Sequence, residues 1–237
     1  MTEYERWLQQ PLDDQDLTEE LQSIQGQEDE INDRFYRELE FGTAGLRGVI
    51  GAGTNRMNVY TVRKATQGLS NYLLKHAEGK PQSVAIAYDS RIKGVLFSKE
   101  SAAVLAANGI KAYIYPQLMP TPALSYAVRH LKCDAGICVT ASHNPAKYNG
   151  YKAYGSDGCQ ITSDMADGIT QEIKSLDIFS GVKRMDFEEG VKQGLIEYIG
   201  GETVDAFLDA VYQESLIDDA SNLKLVYTPL NGAGKTC

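Results

Sequence analysis

The chain has 237 residues, 43% of them hydrophobic, and a formal net charge of −9. That is enough apolar material for a sizeable core in one or two domains. The acidic balance argues against a general nucleic-acid binder or a protein held on an anionic membrane. No apolar run approaches the ~20 residues of a membrane span, and the charged start MTEYERWLQQ lacks the apolar core of a signal peptide. Cys133, Cys138, Cys159 and Cys237 read neither as a disulfide framework nor as paired zinc ligands, so reduced thiols in the cytoplasm are expected.

Residues 3–40 carry a helical pattern. Leu17, Leu21 and Ile24 fall at helix spacing, Ile31, Phe35 and Leu39 repeat it, and Gly26 separates two expected helices. Their acidic outer faces suit a solvated helical extension packed on the domain. Phe41 to Ile50 breaks the pattern with three glycines in G-x-x-G-x-x-G spacing, too many for a stable helix. Thr43 and Arg47 add a hydroxyl and a guanidinium, both good phosphate partners, although a plain turn with a surface arginine has the same composition. A helix is expected over 59–77, a buried strand over 83–88 ending in Asp89-Ser90-Arg91, and a helix over 97–108 stopped by Gly109. A strand over 111–115 follows. Thr121-Pro122 opens a helix running to about Leu131.

The strand Ala135 to Val139 leads into Thr140-Ala141-Ser142-His143-Asn144-Pro145. Beyond it come a helix over 165–176, a mixed stretch over 177–195, a short strand over 195–199, a helix over 203–216 and a strand over 223–227. Strands alternating with helices imply βαβ units. The expected fold class is α/β, a mixed, largely parallel sheet sandwiched by helices. The expected division is a helical extension over 1–40, a main domain over 41–190, and the incomplete start of a second α/β domain over 195–237.

Two motifs invite chemistry. Gly232-Ala233-Gly234-Lys235-Thr236 resembles a nucleotide loop, but Pro229 stands where that loop needs its first glycine, and no helix follows. Ser142 beside His143 sits on a tight loop after a strand, where ligands bind in open α/β sheets. Three readings are open: a plain loop serine with a surface histidine, a hydrolase nucleophile, or a serine that carries phosphate. The hydrolase reading lacks its G-x-S-x-G elbow, since Thr140 and Asn144 hold the glycine positions. A phosphoserine adds a charge of about −1.5 to −2. Thr140, His143, Asn144, Lys147, Lys152 and Arg47 are the donors and cations available to it.

Thr140-Ala141-Ser142-His143-Asn144-Pro145 resembles the phosphoserine loop of the α-D-phosphohexomutases. Asn149-Gly150-Tyr151-Lys152, Phe41-Gly42-Thr43-Ala44-Gly45-Leu46-Arg47-Gly48 and Tyr88-Asp89-Ser90-Arg91 resemble three further elements of that family, in its order. The wording is closest to the branch of type-2 phosphoglucomutases and phosphopentomutases. The resemblance implies a reversible phosphoryl shift between the 1- and 6-positions of a hexose phosphate, glucose phosphate first, with mannose or pentose phosphates as alternatives. A sugar bisphosphate is the implied intermediate and activator. Ser142 would donate and recover the phosphoryl group, Lys152 would serve as general acid or base, and His143 and Arg47 would stabilise the transfer. Thr43, Thr140, Asn144 and Arg91 would bind phosphate or substrate. Asp89 and Arg91 are also placed to brace the Ser142 loop.

The implied cofactor is Mg²⁺, held by the serine phosphate and three aspartates of a D-G-D-x-D-R loop. No such loop is present: Asp13-Asp14, Asp164-x-x-Asp167 and Asp218-Asp219 lack its glycine and arginine context. Tyr227-Thr228-Pro229-Leu230-Asn231-Gly232 resembles a T-P-[LM]-H-G run of the family, with Asn231 in place of histidine. These 237 residues alone are therefore expected to turn over little substrate. The reading from another class is a non-catalytic phosphoserine-bearing fragment.

Overall fold

A computed structural model describes residues 1–217 and 221–237. The Asp218-Asp219 pair lies outside the described residues. The strands are β1 (Leu46–Val49), β2 (Ser83–Tyr88), β3 (Lys111–Ile114), β4 (Ala135–Val139), β5 (Tyr148–Gly155) and β6 (Ile196–Tyr198). They form one sheet in the order β1-β5-β4-β2-β3-β6. β4, β2, β3 and β6 run parallel, while β5 is antiparallel to both β4 and β1. The mixed, largely parallel sheet is thus present.

Strand alternation sorts the core into two layers. Val84 and Ile86 of β2, with Ala135, Ile137 and Val139 of β4, face the larger layer. It is covered by α4 (Val59–His76), α5 (Gly94–Ala107) and α7 (Ser163–Lys174). Ala85, Ala87 and Cys138 face the other layer, under α6 (Thr121–His130) and α9 (Gly201–Gln213). Both faces of β2 and β4 are buried, as expected for central parallel strands. Helix starts follow local chemistry: Asn58 caps α4 through the amides of Tyr60 and Thr61, and Thr61 returns a bond to the Asn58 amide.

The extension holds three helices: α1 (Glu3–Leu8), α2 (Gln15–Ser23) and α3 (Glu28–Phe35). Gly26 separates α2 from α3, as the pattern predicts, and residues 9–14 add a second break. Trp7 is fully buried and meets Phe35, Tyr60 and Phe179 edge-on. The extension therefore shares the core of the body. A short helix, α8 (Phe187–Lys192), lies in the stretch read as mixed.

Three expectations change. The strand β5 was not foreseen, because glycine and polar residues at its start mask the alternation. Residues 196–213, expected with a second unit, build onto the first: β6 pairs with β3, and Phe207 of α9 packs beside Tyr126 of α6. Residues 223–227 are not a strand. They pair with no strand among the described residues, and Leu225 and Val226 are exposed. An alternating apolar run becomes a strand only where a ladder satisfies its backbone.

Candidate active site

The site forms where the parallel strands end. β4 hands over to the loop 140–147, which returns as β5, and Asp89 follows β2 one strand away. Asp89 donates its amide to Val139 O (3.2 Å) and accepts from Thr140 Oγ1 at 2.5 Å. Thr140 Oγ1 in turn accepts from the Ser142 amide at 3.0 Å. Ser142 itself adopts the left-handed conformation, φ 54°, which is uncommon outside glycine, asparagine and aspartate.

Arg91 closes the loop from the side. Its Nη1 donates to the carbonyls of Pro145 (3.2 Å) and Tyr148 (2.9 Å), and its Nη2 to those of Ser142 (2.7 Å) and Asn144 (2.7 Å). One planar fork thus holds three carbonyls of the loop and that of the first residue of β5. On the other side, Arg47 of β1 lies in register with Gly150 of β5, and its Nη1 donates to Asn144 Oδ1 at 3.1 Å. This approach needs glycines. A Cβ on Gly150 would meet Thr140 O at 2.5 Å and Leu46 O at 2.8 Å, and one on Gly45 would strike Tyr151 O.

Ser142 Oγ and His143 Nδ1 are 3.2 Å apart, both exposed. They open into a pocket of about 410 Å³, lined also by Asp89, Ser90, Arg91, Asn144 and Asn231. Lys152 is half-buried on β5, paired in register with Cys138. Burial pushes the Cys138 thiol up to about 11, helped by the Asp89 charge and opposed by a Thr121 hydrogen bond and the Lys152 charge. It is therefore a protonated packing group, whereas the hydroxyl of Ser142 is exposed on the loop that follows β4.

Residues 38–178 match the family model described as phosphoglucomutase/phosphomannomutase, alpha/beta/alpha domain I. The chain belongs to the phosphoglucomutase/phosphomannomutase family. It is 40% identical over 207 residues to a phosphoglucomutase of Staphylococcus saprophyticus, covering 86% of this chain and 37% of that one. A phosphopentomutase of Mus musculus is 39% identical over 176 residues, covering 71% of this chain and 28% of that one. The chain thus spans about a third of the length of these relatives. A solved phosphoglucomutase/phosphomannomutase family protein from Burkholderia thailandensis superposes with a TM-score of 0.55 at 22% identity, over 73% of this chain and 35% of that one, which shows the shared fold.

Within this family fold, the residues singled out in the sequence take separate positions. Ser142, His143, Asn144 and Arg91 line the pocket, Arg47 reaches it through Asn144, and Thr140 lies beneath the serine. Thr43 is exposed on the turn closed by Gly42 and Gly45, outside the pocket lining. Arg91 is engaged chiefly with loop carbonyls, so bracing is its visible work. Asn231 was missed as a lining residue. Its carbonyl accepts from Ser90 Oγ at 2.9 Å, a contact across 141 positions that no local pattern announces.

The family resemblance implies Mg²⁺ at this site. Among the described residues no three of His, Cys, Asp and Glu form a metal-binding group. Among the described residues the carboxylate lining the pocket is that of Asp89, which is held by Thr140 and lies 3.6 Å from Arg91 Nε. These residues do not by themselves make up a Mg²⁺ site.

Proposed function

We propose that this chain carries the phosphoseryl half of a sugar-phosphate mutase, with Ser142 as carrier. The observation behind this reading is the exposed Ser142 hydroxyl at the mouth of a polar pocket, beside His143 and with Arg47 bonded to Asn144. In the forward step a hydroxyl oxygen of the sugar phosphate attacks the phosphorus on Ser142. The new P–O bond forms as the bond to Ser142 Oγ breaks, and the hydroxyl proton passes to a base, assigned to Lys152. The product is a sugar bisphosphate. In the return step Ser142 Oγ attacks the other phosphoryl group, and the shifted monophosphate leaves. His143 and Arg47 stabilise the charge on the transferring oxygens.

The relatives' names support a hexose phosphate, glucose phosphate first, with pentose phosphate as the alternative. Incubation with glucose 1,6-bisphosphate, followed by peptide mass spectrometry, tests the carrier. One phosphoryl group on the peptide holding Ser142, absent from Ser142→Ala, is the expected result. Phosphate confined to other serines, or no phosphate on any, would reject the assignment.

A further inference from the structure

The helical extension is tied to the body by several polar contacts, Arg6 to Asp177 and Asp13 to Arg63 among them, and two of its attachments lead to the serine loop. The first is at Lys93. Its Nζ lies 2.5 Å from Asp14 Oδ2 and 2.8 Å from Asp16 Oδ2, with Lys93 and Asp14 only 16% and 12% exposed. Lys93 takes the left-handed conformation, φ 60°, at the start of α5, without a side-chain cap. Lysine has no preference for that region, and holding it there costs about 1 kcal/mol or more. Burial lowers the Lys93 pKa, but hydrogen bonds and charges from Asp14 and Asp16 outweigh it and hold the group above its usual value. Two residues earlier is Arg91, with its fork on three loop carbonyls and that of Tyr148. Between them, Ile92 accepts from Asn149 Nδ2 at 3.0 Å.

The second attachment is at residues 50–56, just after β1. The Glu20 carboxylate accepts from the Ala52 amide at 2.6 Å and pairs with Arg34. Asp33 pairs with Arg56, and Asn55 donates its amide to Arg34 O at 2.9 Å. At the head of this segment, Ile50 donates to Lys147 O at 2.8 Å, the far end of the serine loop. Residues 1–37, which precede the family-matched stretch, thus hold the supports on both sides of that loop.

We infer that Lys93, fixed by Asp14 and Asp16 of the helical extension, is a positioning residue for the Ser142 loop, acting through Arg91. The consequence for phosphoryl transfer rests on the proposed function; the positioning does not. A solvated extension whose ion pairs only neutralise charge would leave the loop indifferent to Lys93.

Hydrogen exchange read by NMR on the 237-residue chain separates the two. The reporters are the amides of Asn144, bonded to Ala141 O, and Tyr148, bonded to Pro145 O. Lys93→Met is expected to speed both about tenfold, Asp16→Asn about threefold, and Lys93→Arg to restore the wild-type rates. The amide of Ile137, in the centre of the sheet, should hold its rate throughout. Unchanged Asn144 and Tyr148 alongside faster exchange at Gly94, whose amide bonds Arg91 O, would overturn the inference. If Lys93→Met fails to fold, Asp16→Asn decides alone, because Asp16 is 76% exposed and its loss does not threaten the fold. Phosphorylation of Ser142 by glucose 1,6-bisphosphate is followed in parallel and should slow in Lys93→Met. Altered exchange with no phosphorylation of any form would fault the carrier reading and leave the positioning intact.

Discussion

Ser142 sits in a backbone region that its side chain disfavours, and its neighbours hold it there. The Thr140 hydroxyl takes its amide, and Arg91 takes its carbonyl. The strain belongs to the residue's Cβ, so replacements should rank by whether they carry one. Ser142→Ala keeps the Cβ and loses the hydroxyl, whereas Ser142→Gly loses both. Glycine enters the left-handed region freely but gives up more unfolded-state freedom, which offsets part of the gain. We expect Ser142→Gly to be more stable than Ser142→Ala by about 0.5–1 kcal/mol, measured by urea denaturation. Equal midpoints would mean that the loop relaxes once the hydroxyl is gone. The sequence shows a serine among small and polar residues before Pro145, enough to read a tight loop. It does not show the sign of φ, which depends on Asp89 and Arg91, more than 50 positions away.

Between elements, the buried pair of Arg63 on α4 and Glu100 on α5 links two helices of one layer, at 2.6 Å and 8% and 9% exposure. Arg184 joins Glu100 at 2.8 Å, and Asp13 joins Arg63 at 2.7 Å. Burial raises the Glu100 pKa, but hydrogen bonds from Arg184 and Arg63 outweigh it, so the carboxyl sits below its usual value. A depressed folded-state pKa stabilises the fold above the unfolded value, about 4.3, and that stability is lost as pH falls through the folded value. Glu100→Gln leaves two guanidinium groups short of a charge. It should cost about 3 kcal/mol at neutral pH. Between about pH 6 and about pH 3, the variant should lose less stability than wild type in thermal melts; parallel curves would remove Glu100 from the acid response. The helices here were legible because apolar residues recur at helix spacing. The pair was not, since a glutamate in an alanine-rich helix and an arginine in an amphipathic one look like ordinary surface residues. β5 was hidden for a related reason. Its Asn149 and Gly150 are chosen for close approach to the serine loop and β1 rather than for strand propensity.

In the whole molecule, the four sequence elements that carry the family resemblance are spread over about a hundred residues, and the sheet order gathers them. β1 reaches the site only because β5 turns back antiparallel and places Gly150 opposite Arg47. That convergence was implied by the family resemblance, while the strand order was not written in any local pattern. The end of the described chain shows the opposite case. Its LKLVY run reads as a strand over 223–227, yet it joins no ladder among the described residues, and Val226 is 95% exposed. Backbone without a ladder needs no local unfolding to enter a protease. Trypsin should therefore cut at Lys224 before it cuts the body. Lysines of the body are better tied: Lys80 donates its amide to Ala77 O at 2.9 Å, and the Lys147 carbonyl accepts from Ile50 at 2.8 Å. The buried Arg63 and Lys64 should resist until the body unfolds. A time course followed by intact mass should show the species ending at Lys224 before any cut within residues 59–199. Its melting temperature should lie within about 2–4 °C of the full chain, because residues 225–237 touch the body through few bonds, chiefly Asn231 to Ser90. Early cleavage after Lys147 would instead show that the serine loop, despite its Arg91 clamp, opens more readily than the unpaired run.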